Sequence, residues 1–111
     1  MSIKTIQNMV DWVEDNLENA PTLSQMAAYV GYSQYYCSAK FHEYTGISFK
    51  EYVISRKLSL AADALIKSDT KIIEIAIQCG FSSHEAFTRA FGKKYQCTPY
   101  EYRKNNRAEK T

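Results

Sequence analysis

Proline and glycine are scarce in this chain, at two and four among 111 residues. A sheet protein with many short turns draws on both residues, so their scarcity favours helix. No apolar run approaches the roughly 20 residues needed to span a bilayer. The opening stretch "MSIKTIQNMV" lacks the charged start, long apolar segment and small-residue cleavage site of a signal peptide. A soluble, cytoplasmic protein with no membrane partner is therefore expected. Cys37, Cys79 and Cys97 form an odd set without a CxxC pair, which argues against a disulfide framework or a zinc site. They are expected as small buried hydrophobes, and no metal or other cofactor is expected. Basic residues are thin in the first half: residues 1–55 hold three Lys/Arg against six Asp/Glu, and residues 56–111 hold eleven against six. The second half is the one suited to an anionic partner.

What the chain does contain is a repeat. "LSQMAAYVGYS" at residues 23–33 matches "IIEIAIQCGFS" at 72–82 with an offset of 49, pairing Leu23 with Ile72, Met26 with Ile75, Ala27 with Ala76 and Gly31 with Gly80. Beyond the glycine the offset becomes 50, pairing Cys37 with Phe87 and Phe41 with Phe91. Each copy reads as a short amphipathic helix, a glycine turn and a second helix, the helix-turn-helix pattern. Gly31 and Gly80 stand where a helix ends in left-handed backbone. Thr22 with Gln25, and Ser82 with Glu85, are expected as capping boxes.

The remaining segments also read as helices. Ile6, Val10, Val13 and Leu17 give an amphipathic helix over residues 3–18, with Asp11, Glu14, Asp15 and Glu18 outside. Ser48 and Glu51 open a long helix whose apolar stripe is Ile54, Leu58, Ala61, Ala62 and Leu65. Thr98, Pro99 and Glu101 start a last one. The expected fold is all-α, with about seven helices in two helix-turn-helix subdomains. The first is residues 1–47, the linker helix 48–67, and the second, with a basic tail, 68–111.

On the second helix of each copy one face is apolar: Cys37, Phe41 and Tyr44 in the first, Phe87, Ala90 and Phe91 in the second. Gln34, Tyr35, Ser38, Ala39 and His42 are then outward in the first copy, and His84, Glu85, Thr88 and Arg89 in the second. Such short, polar or planar side chains suit the major groove of duplex DNA. Arg89 can bind guanine O6 and N7, Gln34 can bind adenine, and Glu85 can accept from cytosine or serve only as a cap. Ala39 offers a methyl contact or space. Lys93 and Lys94, with Lys40, Arg56, Lys57, Arg103, Lys104 and Arg107, are the cations available to phosphates, Arg56 being equally placed for a structural role. The joining helix, about 19 residues at roughly 1.5 Å each, spans roughly 28 Å, near the 34 Å of one DNA turn, so two helices can reach successive grooves. No catalytic residue is expected: His42 and His84 lie in different copies, without a nucleophile–base arrangement. The competing reading is a protein-binding module that uses Tyr29, Tyr32, Tyr35 and Tyr36 to hold another regulator or a polymerase.

The stretch "IAIQCGFSSHEAFTRAFGKKYQCTPYEYR" resembles the signature of AraC/XylS-type transcription regulators. "LSQMAAYVGYSQYYCSAKFHEYTGISFKEYV" resembles that family's upstream helix-turn-helix, and "RKLSLAADAL" its linker helix. The likeness covers residues 6–104. It implies seven helices, two recognition helices in adjacent grooves of a bent asymmetric site, and transcription activation by recruiting RNA polymerase. In length the chain is similar to the small stand-alone members of the MarA/SoxS/Rob type, which implies binding to DNA as a monomer without a sensing domain. Those members carry a Trp and an Arg where this chain has Tyr35 and Ala39, and Lys40 stands at a usually apolar position. Fewer base contacts are thus expected from the first recognition helix.

Overall fold

The computed structural model describes residues 3–107. Seven α-helices follow one another: α1 (Ile3–Asp15), α2 (Leu23–Val30), α3 (Gln34–Thr45), α4 (Phe49–Lys67), α5 (Ile72–Gln78), α6 (His84–Tyr95) and α7 (Pro99–Arg107). A single 3-10 turn, Leu17–Asn19, follows α1. Among the described residues there is no strand, and no helix is long and apolar enough to cross a membrane. The fold is all-α, as its composition and periodicity suggest.

Two compact units meet inside α4, one ending at Ile54 and the other beginning at Ser55. The long helix therefore contributes residues to both units. The reason lies in its side chains. Phe49 and Val53 are buried in the core of the first unit, while Leu58, Ala61, Ala62 and Leu65 are buried further along the same helix. Ile54, expected on the stripe, is only half-buried.

In the first unit α1 packs on α2 and α3. Met9, Val13, Met26, Cys37 and Phe41 have no exposed surface. Met9 fills the place expected for Val10, which lies at the edge of this core. The α1 helix stops at Asp15, where Asn16 turns its Nδ2 back to the Trp12 carbonyl at 2.8 Å. Leu17 still reaches the core, now from the 3-10 turn. Phe41 meets Phe49 and Tyr52 edge-on, with ring centroids 5.6 and 5.2 Å apart, an arrangement that aromatic quadrupoles favour.

In the second unit α5 and α7 pack on α6. An aromatic series runs from Phe81 to Phe87 (5.3 Å), Phe91 (5.7 Å) and Tyr102 (5.4 Å). Phe87 and Phe91 are fully buried, and burying a side chain of this size stabilises a fold by about 1.5–3 kcal/mol. Arg103 on α7 closes the C-terminal end of α4. Its Nε donates to the Leu65 carbonyl at 2.8 Å, and Nη2 to the carbonyls of Ser68 (3.2 Å) and Thr70 (2.7 Å). Arg107 adds an ion pair to Asp69 at 2.8 Å.

The helix starts follow their capping residues. Thr22 and Gln25 form the reciprocal box expected of them. So do Ser48 with Glu51 and Thr98 with Glu101. Ser82 does not. The N-cap of α6 is Ser83, whose hydroxyl accepts the Ala86 N–H at 3.0 Å. The extra residue in the second turn moves the cap one place along, so Ser83 is the counterpart of Ser33, which accepts the Tyr36 N–H at 3.1 Å. Ala86 has no acceptor in its side chain to complete a box, and Glu85 is left exposed.

Candidate nucleic-acid interface

Each unit presents its second helix after a left-handed glycine: Gly31 at φ 82° before α3, Gly80 at φ 84° before α6. At each, the chain turns sharply from one helix to the next, a conformation that costs any residue with a Cβ. The two helices then diverge in chemistry.

On α3, Gln34, Tyr35, Ser38, Ala39 and His42 are exposed. Tyr35, in the first turn of the helix, is 86% exposed. Tyr44 does not face inward as its spacing suggests; it is 53% exposed. Thr45 takes the inner position and donates to the Phe41 carbonyl at 2.8 Å. Lys40 is half-buried: it pairs with Glu43 at 3.2 Å and lies 5.8 Å from the Tyr36 ring centroid. The hydrogen bond to Glu43, then its charge, raise the Lys40 pKa. A cation so paired is a poor phosphate ligand, so the first recognition helix offers mainly neutral groups.

On α6, His84, Glu85, Arg89, Lys93 and Lys94 are exposed. Among the described residues Arg89 holds no ion pair, so its guanidinium is not committed to Glu85 one turn away. Thr88 departs from expectation. It is half-buried, and its Oγ1 is shielded from solvent without a hydrogen-bond partner. Thr88 thus sits at the seam between the outward face and the core, its hydroxyl turned from solvent.

Several cations counted from the sequence as phosphate ligands are already engaged. Lys94 donates to the Ser55 carbonyl (2.7 Å), the Ser55 hydroxyl (2.9 Å) and the Ser59 hydroxyl (2.8 Å). Burial, then the nearby Arg56 charge, lower its pKa. Arg103 and Arg107 hold the end of α4. Lys57 lies over the second turn: a Cβ at Gly80 would come within 3.0 Å of its Nζ, and its carbonyl accepts from Cys79 Sγ at 3.5 Å. Cys79 and Cys97 are half-buried and only Cys37 is fully buried; all three are free thiols. Sequence spacing marked Lys94 and Arg103 only as charges. Their structural work depends on partners 33 to 39 residues away in the chain, which no local pattern reveals.

Chemically, α6 offers one forked donor, Arg89 in mid-helix, with Glu85 and Lys93 one turn away on either side and His84 at the helix start. On α3 the equivalents are an amide, a phenol, a hydroxyl and a methyl. Among the described residues no group of three His, Cys, Asp or Glu is placed to hold a metal ion.

Comparison with known proteins gives a consistent result. A family model described as a helix-turn-helix domain matches residues 26–105. The chain is 35% identical over 102 residues to the multiple antibiotic resistance protein MarA of Escherichia coli (strain K12), a match covering 92% of this chain and 80% of MarA. Its fold is similar to an AraC-type transcriptional regulator from Chromobacterium violaceum (TM-score 0.86, 28% identity, 90% of this chain and 89% of the other). It is equally similar to the DNA-binding domain of the global transcriptional factor AdpA, solved in complex with a target DNA (TM-score 0.86, 26% identity, 95% of each chain).

Proposed function

The chain belongs to the AraC-type helix-turn-helix family of DNA-binding transcription regulators, and on that footing we propose that it binds duplex DNA sequence-specifically, with α3 and α6 as recognition helices in two adjacent major grooves. It is a regulator and not an enzyme. It acts as an activator, as a monomer on DNA, with RNA polymerase as its further partner.

The observation that carries this reading is the exposed face of α6, with Arg89 uncommitted and flanked by polar side chains. Arginine matches guanine O6 and N7 by two parallel hydrogen bonds. The duplication supports two grooves: one helix reads few base pairs, and this chain carries two such helices joined through the continuous α4. The DNA-binding domain of AdpA, similar in fold, is solved in complex with a target DNA, which supports DNA as the ligand. In the first unit Gln34 and Tyr35 take the place of a charged contact, with Ser38 and Ala39 lining the groove. In the second, His84, Glu85 and Arg89 read bases, and Lys93 binds phosphate.

A mobility-shift titration of the whole chain on duplex DNA over a range of salt tests this. With about six phosphate contacts, log K falls with log salt at a slope near −5. A footprint over about two turns, asymmetric and saturated by one chain, is the expected result. A shift that ignores salt, or a palindromic site bound only by two chains, contradicts it.

A further inference from the structure

The last turn of α6 carries two lysines with different surroundings. Both are exposed, but Lys94 bends back along the surface onto α4. An ammonium group has three N–H donors and no acceptor. At Lys94 all three are matched, by the Ser55 carbonyl at 2.7 Å, the Ser55 hydroxyl at 2.9 Å and the Ser59 hydroxyl at 2.8 Å. To reach a phosphate this side chain would have to give up those bonds.

We infer that Lys94 is a positioning residue: it fixes the recognition helix α6 on α4 through Ser55 and Ser59, and so aims Arg89, without itself touching phosphate. This rests on the DNA-binding reading above. The acceptor site is formed by spacing. Ser55 and Ser59 are four residues apart, so their side chains lie one above the other on α4. Both are short, so the ammonium reaches the Ser55 carbonyl, whose second lone pair accepts alongside the helical bond. Charge-assisted bonds to such a site are short and directional. The apolar contacts of Phe87 and Phe91 hold α6 against the core but resist rotation about its axis less well, because the hydrophobic effect has no direction. Guanine readout by arginine needs close alignment of two parallel bonds, so the rotation of α6 matters. Lys94 is exposed as a residue, but desolvation at its ammonium, then the Arg56 charge, lower its pKa. The counterpart of Lys94 at the offset of 50 is Tyr44, which is exposed; α3 has no clamp at this position.

The test compares the wild-type chain with Lys94→Met and with the pair Ser55→Ala/Ser59→Ala. Two duplexes are used: one enriched by the wild-type protein from a random-sequence pool, and a scrambled version of it. Affinity is measured across salt, and thermal melting confirms that each variant is folded. Lys94→Met should lose about tenfold on the enriched duplex, change little on the scrambled one, and keep the wild-type salt slope. The serine pair should shift binding in the same direction, and combining it with Lys94→Met should add little. The inference is overturned if Lys94→Met weakens both duplexes alike and reduces the slope by about 0.9, as loss of one phosphate contact does, or if the serine pair behaves as wild type. Where Lys94→Met does not fold, Ser59→Ala alone decides: selective loss on the enriched duplex supports the clamp, and unchanged binding overturns it. If the wild-type chain enriches no duplex at all, the DNA-binding reading itself falls and this inference with it.

Discussion

Gly46 and Gln96 hold the same left-handed backbone 50 residues apart, at φ 81° and 62°, each ending the recognition helix of its unit. The backbone N–H of each donates to the carbonyl four residues back, Gly46 to His42 at 2.8 Å and Gln96 to Gly92 at 2.9 Å. Glycine adopts this conformation without strain, whereas an L side chain costs roughly 1–2 kcal/mol there. Gln96→Gly should therefore stabilise the protein by about 0.5–1 kcal/mol, since the exposed Gln96 bond to the Lys93 carbonyl offsets little. Urea unfolding measures this, and a loss of stability would mean that the Gln96 side chain matters more than its strain.

Ser83→Ala should cost about 1 kcal/mol, the usual worth of an N-cap hydroxyl, while Ser82→Ala should stay within about 0.5 kcal/mol. Equal losses in a denaturant titration would mean that both serines share the cap.

Arg103→Lys should destabilise nearly as much as Arg103→Ala, by about 2 kcal/mol or more. The planar guanidinium serves three carbonyls, at Leu65, Ser68 and Thr70, from two of its nitrogens. A single ammonium cannot reproduce that fork. Full recovery of the melting temperature in Arg103→Lys would show that charge alone suffices.

Two carboxyls link stability to pH. Bonds from Thr98 hold the Glu101 carboxyl below its ordinary 4.5, and the hydrogen bond from Arg107, then its charge, hold Asp69 below 3.8. A group more acidic in the folded state stabilises the fold above its unfolded pKa and stops doing so as pH falls through the folded one. Melting temperature should therefore decline below about pH 4.5, and less steeply in Glu101→Gln/Asp69→Asn. Identical slopes in the two proteins would remove both groups from the linkage.

Much of the fold was legible because it is written in local spacing. The caps Thr22, Ser48 and Thr98 and the turn glycines Gly31 and Gly80 each act within a few residues of themselves. Legibility failed where a choice depended on packing between distant segments. Met9 is buried more deeply than Val10, and Tyr44 yields the inner position to Thr45, because a helix stripe is wide enough to admit either neighbour. Ser82 and Ser83 are both good caps, and only the length of the second turn chooses between them. Gln96 bears no mark of left-handed backbone. In the candidate site, Gln34, Tyr35, Ser38, Ala39, His84, Glu85 and Arg89 are exposed in the structure. The half-burial of Thr88 bears no mark in local spacing, and the turn of Lys94 onto α4 depends on Ser55 and Ser59, 39 and 35 residues away.

The readout assigned to α6 is tested most directly by Arg89→Ala, measured against a panel of single-base variants of the duplex that the wild-type protein enriches. Arg89 is exposed and, among the described residues, without an ion pair. As a base-reading group it should cost about 1–3 kcal/mol on the enriched duplex, with the loss confined to discrimination at one G·C pair. A uniform loss across the panel would make it a phosphate contact, and no loss at all would take α6's arginine, and the readout assigned to it, off the DNA.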